Sequence, residues 1–180
     1  LQTSIYEVPM ATDQLRVLLE CLEEQIGKTE RAIRDHIGSN ESVAEKVDQL
    51  CSIKGVGLLT VAVILAETNG FGLISHARQL VSYAGYDVVE NQSGKRSGAT
   101  RISKKGNHRI RRILHFPTIN VVKFQGGVFA DLFERTYGKH HIKMKSYVAV
   151  QKKLLIILYT LWRKDQPFIE QPVVTGREEG

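Results

Sequence analysis

Residues 142–163 constrain the fold most. Val148, Val150, Leu154, Leu155, Ile157, Leu158, Leu161 and Trp162 fall within one helical length. Towards its end this segment is apolar on most sides. Such a helix has to be covered all round, which predicts the central core helix of a helical domain. Its longest apolar run, Leu154–Trp162, is too short to span a bilayer. With no signal peptide either, the sequence predicts a cytoplasmic chain with no membrane partner. The residues from Gln166, with Pro167 and Pro172, read as a loose end, and 169–180 as a flexible tail.

The preceding segments predict the helices that cover this core. Apolar residues at Leu15, Leu18, Leu19, Leu22, Ile26, Ile33 and Ile37 have helical spacing from Thr12 to Ile37. Thr12 is placed to cap that helix and Gly38 to end it. The pattern covers fewer than four heptads, so packing on its own domain and self-association as a coiled coil both remain open. Ser39-Asn40-Glu41-Ser42 opens a second helix, with Val43, Val47, Leu50 and Cys51 on one face. Cys21 and Cys51 are isolated and read as small buried residues of a reduced protein. An Ile53-x-Gly55-Val56-Gly57 turn and an apolar helix from Leu58 to Glu67 follow. This helix–turn–helix order fits either a helix-hairpin-helix element, with free N–H groups for one phosphate, or a tight structural hairpin. Ser75 is placed to cap a short helix through Ala84, with Gly85 as its stop. Helical periodicity returns at Asn107, and Pro117 should kink or break it. Gly126-Gly127 is a turn, Val128–Tyr137 a helix, and Gly138-Lys139-His140-His141 the next break. The predicted fold is mostly α, a helical domain containing a helix-hairpin-helix-like element and preceded by a long helix able to form a coiled coil. The predicted divisions are a long helical arm (1–50), a helical domain (51–168) with a basic loop (86–108), and the tail.

The net charge of +6 hides an asymmetry. Residues 1–90 carry 7 Lys/Arg and 13 Asp/Glu, whereas residues 91–180 carry 18 and 6. No acid occurs from Asn91 to Ala130, and eight cations fall between Lys95 and Arg112. Such a cluster repels itself, and a polyanion relieves the repulsion. Ser93, Ser97 and Ser103 with Gly94, Gly98 and Gly106 add hydroxyls and freely approachable backbone N–H groups. Composition alone supports nucleic-acid binding, and it equally fits a solvated loop. Arg109, Arg111 and Arg112 lie in the first turns of a helix, where cations oppose the macrodipole, so a compensating anion is expected close by. No Cys/His spacing resembles a metal site, and the His140-His141 pair lacks a third ligand. No metal ligand and no cofactor is expected within this chain.

Several pieces follow in a specific order over more than 110 residues. They are Ile53-x-Gly-Val-Gly-Leu-Leu-Thr60, Ala77-Arg-Gln-Leu-Val-Ser-Tyr-Ala-Gly85, Gln92-Ser93-Gly94, Arg101-Ile-Ser-Lys-Lys-Gly-Asn107, Arg111-Arg-Ile-Leu114 and Lys152-Lys-Leu-Leu155. This series resembles the C-terminal transposase domain of the DEDD-type bacterial insertion-sequence transposases (the IS 110 / IS 116 / IS 902 type). Members of that family recombine DNA, and some are guided by a structured RNA. They pair an N-terminal RuvC-like domain, which carries four metal-binding carboxylates, with a C-terminal domain that supplies a nucleophilic serine.

The resemblance implies Ser93 as the nucleophile, forming a transient serine–phosphate link. Ser97, in a second Ser-Gly pair, is the alternative. Spacing from Tyr83-Ala84-Gly85 and from Arg101 favours Ser93. Gly55, Gly57, Lys95, Arg96, Arg101, Ser103, Lys104, Lys105, Arg109, Arg111 and Arg112 are the expected DNA-binding residues. A serine hydroxyl needs activation, and His108 is the nearest base in sequence. Nothing in residues 1–50 reads as RuvC-like strands, and the first residue is not Met. The chain is therefore expected to be a piece of a longer transposase and inactive alone, with Mg²⁺ acting in the full-length parent. DNA, a guide RNA, the absent RuvC-like domain and a second copy are the expected partners. A non-catalytic helix-hairpin-helix module binding DNA or RNA, and an oligomerisation module, are the alternatives.

Overall fold

The computed structural model describes residues 9–89, 92–93, 96–97 and 101–169. The chain divides into two units, Leu1–Glu41 and Ser42–Gly180. The first contains one helix, α1 (Pro9–Gly38). It starts a turn before Thr12, which lies within it. Its apolar residues Leu15, Leu18, Leu22 and Ile26 are exposed. So is Cys21, which the sequence placed in a core, while Cys51 is half-buried. The spacing identified the helical face correctly, but nothing among the described residues of the unit covers that face.

The second unit is built from α2 (Glu41–Cys51), α3 (Leu58–Thr68), α4 (Ala77–Tyr83), α5 (His108–Ile113), α6 (His115–Asn120), a π-helical turn (Val121–Gln125), α7 (Gly127–His140) and α8 (Lys143–Lys164). The fold is mostly α, as the periodicity predicts. α8 lies at the centre, packed by α4, α6 and α7. Val150, Leu154, Leu155 and Leu158 are buried on it. Each such side chain contributes roughly 1.5–3 kcal/mol when fully removed from water. Phe71 meets Tyr159 edge-on at 5.4 Å. Inside this layer the Tyr86 hydroxyl donates to Gln151 Oε1 at 3.0 Å, whereas the buried Ser146 and Thr118 hydroxyls have no hydrogen-bond partner among the described residues.

Three boundaries differ from the sequence reading, each for a local reason. His76, not Ser75, caps α4: its Nδ1 accepts from the Gln79 N–H at 3.1 Å. The Gln79 side chain folds back and takes the Ser75 N–H at 2.7 Å, which places Ser75 outside the helix. α7 runs through Gly138 to His140 and stops where His141 turns left-handed, at φ 53°. One glycine inside a helix costs only about 1 kcal/mol, so it does not end one. The helix from Asn107 breaks at Leu114, three residues before Pro117. Proline has no N–H to bond four residues back, so the break falls in the preceding turn.

The basic stretch leaves α4 and returns to α5 through four two-residue strands. β1 (Val88–Val89) pairs antiparallel with β4 (Arg101–Ile102), and β2 (Gln92–Ser93) with β3 (Arg96–Ser97). The registers are Val88 with Ile102, Val89 with Arg101, Gln92 with Ser97, and Ser93 with Arg96. The sequence expected a long loop with extended parts only at 87–90. Strand pairing joins the two sides instead.

Candidate nucleic-acid interface

The base of this paired arm is fastened to the helical unit by backbone. The Ser103 N–H donates to Asp87 O at 2.7 Å, Lys104 N–H to Gly85 O at 3.1 Å and Asn107 N–H to Tyr83 O at 2.7 Å. Two glycines permit this approach. A Cβ on Gly106 would lie 2.5 Å from Tyr83 O and 2.7 Å from Gly85 N, both backbone atoms. Gly85 has φ +76°, and a Cβ there would lie 2.6 Å from Arg111 Nη1.

Arg111 clamps the same junction. Its Nη1 donates to Ala84 O at 2.7 Å and Gly106 O at 3.3 Å, and its Nη2 to Lys104 O at 3.3 Å. The fork of the guanidinium suits several carbonyls at once. Lys104 adopts φ +54° beneath it. Ser103 is also turned inward: its hydroxyl donates to Gly85 O at 3.4 Å and accepts from Lys105 N–H at 3.3 Å.

Glu67, which sequence reasoning missed, organises the start of α5. Its carboxylate accepts from Asn107 Nδ2 at 2.6 Å and from Arg109 Nη1 at 2.9 Å. Asn107 in turn caps α5, its Oδ1 accepting from the N–H groups of Arg109 and Ile110 at 2.9 and 3.2 Å. The hydrogen bonds from Asn107 and then Arg109 hold the Glu67 carboxyl below the usual carboxylate range. Glu67 is the compensating anion that the cationic helix start calls for. The signal was present: it is the only acid between Asp48 and Asp87.

The sequence-predicted residues therefore separate into two groups. Arg109, Arg111 and Ser103 are engaged within the protein. Arg101, Lys104, Lys105 and Arg112 are exposed, and their side chains have no ion-pair partner among the described residues. Ser93 and Arg96 are backbone register partners on β2 and β3. Lys95 lies outside the described residues.

The two glycines of the 53–57 turn also differ. Gly55, at φ +102°, lets the turn press on α6: a Cβ there would lie 2.7 Å from Asn120 Cβ. Gly57 has open space around it and precedes α3 in an extended conformation, with no side chain capping the helix. The first N–H groups of α3 remain available to an anion. α3 and the α5–α6 run lie antiparallel, joined at one end by Glu67–Arg109 and at the other by Gly55–Asn120. Between them is a groove of about 810 Å³ with an apolar floor of Val63, Ile113 and Pro117.

Among the described residues no three His, Cys, Asp or Glu side chains converge as metal ligands would. No helix among the described residues is long and apolar enough to cross a membrane.

Residues 47–134 match the transposase IS116/IS110/IS902 family. The chain is 26% identical over 169 residues to a pilin gene-inverting protein of Moraxella bovis, across 92% of this chain and 50% of that protein. It is 29% identical over 106 residues to the transposase for insertion sequence element IS1111A of Coxiella burnetii, across 57% and 29% of the two chains. An insertion element IS116 uncharacterized 44.8 kDa protein of Streptomyces clavuligerus is 23% identical over 157 residues, across 87% and 38%. The chain spans about half the length of the Moraxella relative and less of the other two.

Proposed function

Residues 47–134 of this chain belong to the transposase IS116/IS110/IS902 family, and on that premise we propose that the chain is the DNA-engaging, nucleophile-bearing C-terminal part of a transposase. The observation that carries this reading is the anchored arm. A cation-rich segment, acid-free from Asn91 onward, leaves the helical unit from a junction fastened by Arg111, with Ser93 paired opposite Arg96. Arg101, Lys104, Lys105 and Arg112 supply the charge that the DNA backbone requires, and the open N-terminus of α3 beyond Gly57 adds a phosphate contact of the helix-hairpin-helix kind. Relatives named for gene inversion and for transposition support DNA rearrangement as the activity.

In the chemical step Ser93 Oγ attacks a backbone phosphorus. A serine–phosphate ester bond forms and one P–O bond of the DNA breaks. The serine proton is lost to a base, and the departing sugar oxygen takes up a proton. Cations beside the phosphate stabilise the charge that builds on its oxygens. No step assigned to this chain passes through a metal; the RuvC-like domain of the full-length protein would supply that chemistry. Subunits acting together and a guide RNA belong to the same reading.

The test uses the full-length parent with its element-end DNA and Mg²⁺. A denaturant-resistant protein–DNA adduct is expected, with the linked peptide mapping to Ser93. Ser93→Ala should abolish strand exchange while keeping DNA affinity within a few fold. An adduct at Ser97 would move the nucleophile. Strand exchange that survives Ser93→Ala, with salt-dependent DNA binding intact, would point to the non-catalytic module instead.

A further inference from the structure

We propose that the groove between α3 and the α5–α6 run accepts one unstacked nucleotide of single-stranded DNA, its base lying against Phe116. This rests on the reading of the chain as a DNA-engaging unit and adds a second kind of contact to it. Phe116 stands at the groove with 73% of its surface exposed. The His115 ring braces it edge-on at 5.5 Å. A duplex backbone presents phosphates to a surface and rewards neither an exposed ring nor an apolar floor. An unstacked base has a flat face that does. The groove volume of about 810 Å³ lies within the range of pockets that take a small molecule.

Charge and polar groups select a nucleotide over an apolar peptide. Arg112 lines the groove and has no ion-pair partner among the described residues. The only carboxylate lining it, Glu67, is already occupied by Asn107 and Arg109. The uncapped start of α3 borders the far end at Gly57, placing N–H donors where a phosphate on the sugar of that nucleotide would lie. Thr60 lines the wall with only 5% of its surface exposed. Its hydroxyl has no hydrogen-bond partner among the described residues, so it is free to pair with the edge of a base. One wall therefore offers a stacking ring and a cation, and the other an unpartnered hydroxyl and a helix start.

The experiment uses this chain and a single-stranded oligonucleotide containing 2-aminopurine, whose fluorescence falls when it stacks. Binding should quench the probe. Phe116→Ala should remove the quenching and weaken single-strand binding about tenfold, with duplex binding changed less than twofold. Phe116→Trp should keep single-strand affinity. Phe116 is exposed, so the variants should keep the circular dichroism of the parent chain. A second variant, Lys105→Gln, should weaken duplex binding and leave the quenching in place. Unchanged single-strand affinity and quenching in Phe116→Ala, with duplex binding intact, overturn the groove proposal alone. Absence of any DNA binding by the unaltered chain overturns both this proposal and the function it rests on.

Discussion

The Glu67 carboxylate accepts the side-chain N–H of Asn107 at 2.6 Å, across forty residues of sequence. Because the Asn107 Oδ1 caps α5, one acid at the end of α3 fixes both the return of the basic arm and the start of the next helix. Glu67 also receives Arg109. It thereby neutralises the one arginine that points back across the groove and leaves Arg112 free.

The pH dependence follows from that contact. Glu67 titrates below its ordinary value of 4.5 in the folded chain, chiefly through Asn107. A depressed carboxyl stabilises the fold fully above its unfolded pKa and loses that contribution as pH falls through the folded pKa. The Tm of the chain should therefore fall as pH drops below about 4.5. Glu67→Gln should flatten this acid limb and lower stability at neutral pH. Thermal melts of both proteins from neutral to acid pH measure the difference, and parallel curves would rule the linkage out.

Gly106→Ala should destabilise the chain by about 3 kcal/mol, because the new methyl meets backbone atoms that cannot move aside alone. Urea titration followed by circular dichroism measures it. A change below about 0.5 kcal/mol would mean that the 83–87 and 103–107 segments separate freely.

At Gly57 stability and binding should move in opposite directions. The residue has φ −101° and ψ 164°, an extended geometry suited to a helix cap. Gly57→Asp should leave stability unchanged or raise it by up to about 1 kcal/mol through capping and the macrodipole. The same carboxylate should repel phosphate and weaken DNA binding several-fold. Denaturation and fluorescence anisotropy on one preparation test both signs. Stronger DNA binding would sink the phosphate role of this turn.

Two neighbouring arginines should behave differently. Arg111→Lys breaks a fork that holds three carbonyls and should cost about 2 kcal/mol of stability. Arg112→Gln should leave stability within about 0.5 kcal/mol. It should also reduce the slope of log K against log salt by about one. Equal stability losses in the two variants would contradict the division between clamp and contact.

Periodicity revealed the helices because most of them bury one face, and α8 because it buries several. It also marked Leu15, Leu18 and Leu22 on one side of α1, yet spacing carries no information on whether a partner covers that side. The charge run located the arm, and the turn glycines located the start of α3. What stayed hidden was pairing over distance. Nothing local distinguishes Arg111, whose fork is satisfied by carbonyls, from Arg112, which is exposed. Nothing in the Gly-Val-Gly turn says that Gly55 serves packing against Asn120 while Gly57 is open. Glu67 was visible only as a solitary acid, and its role depends on the fold bringing Asn107 to it. The capping of α4 by His76 was missed because a side chain within the helix's own first turn, Gln79, decides it by taking the Ser75 N–H.

The fastening of the arm has a consequence for how such a protein can change. Most of the contacts at its base end on main-chain oxygens of residues 83–87 and 104–106. Main-chain oxygens are the same whatever side chains accompany them. Side-chain changes at those carbonyl-bearing positions, Gly85 and Gly106 apart, therefore leave the fastening in place, so the base of the arm can drift in sequence while its path out of the helical unit is kept.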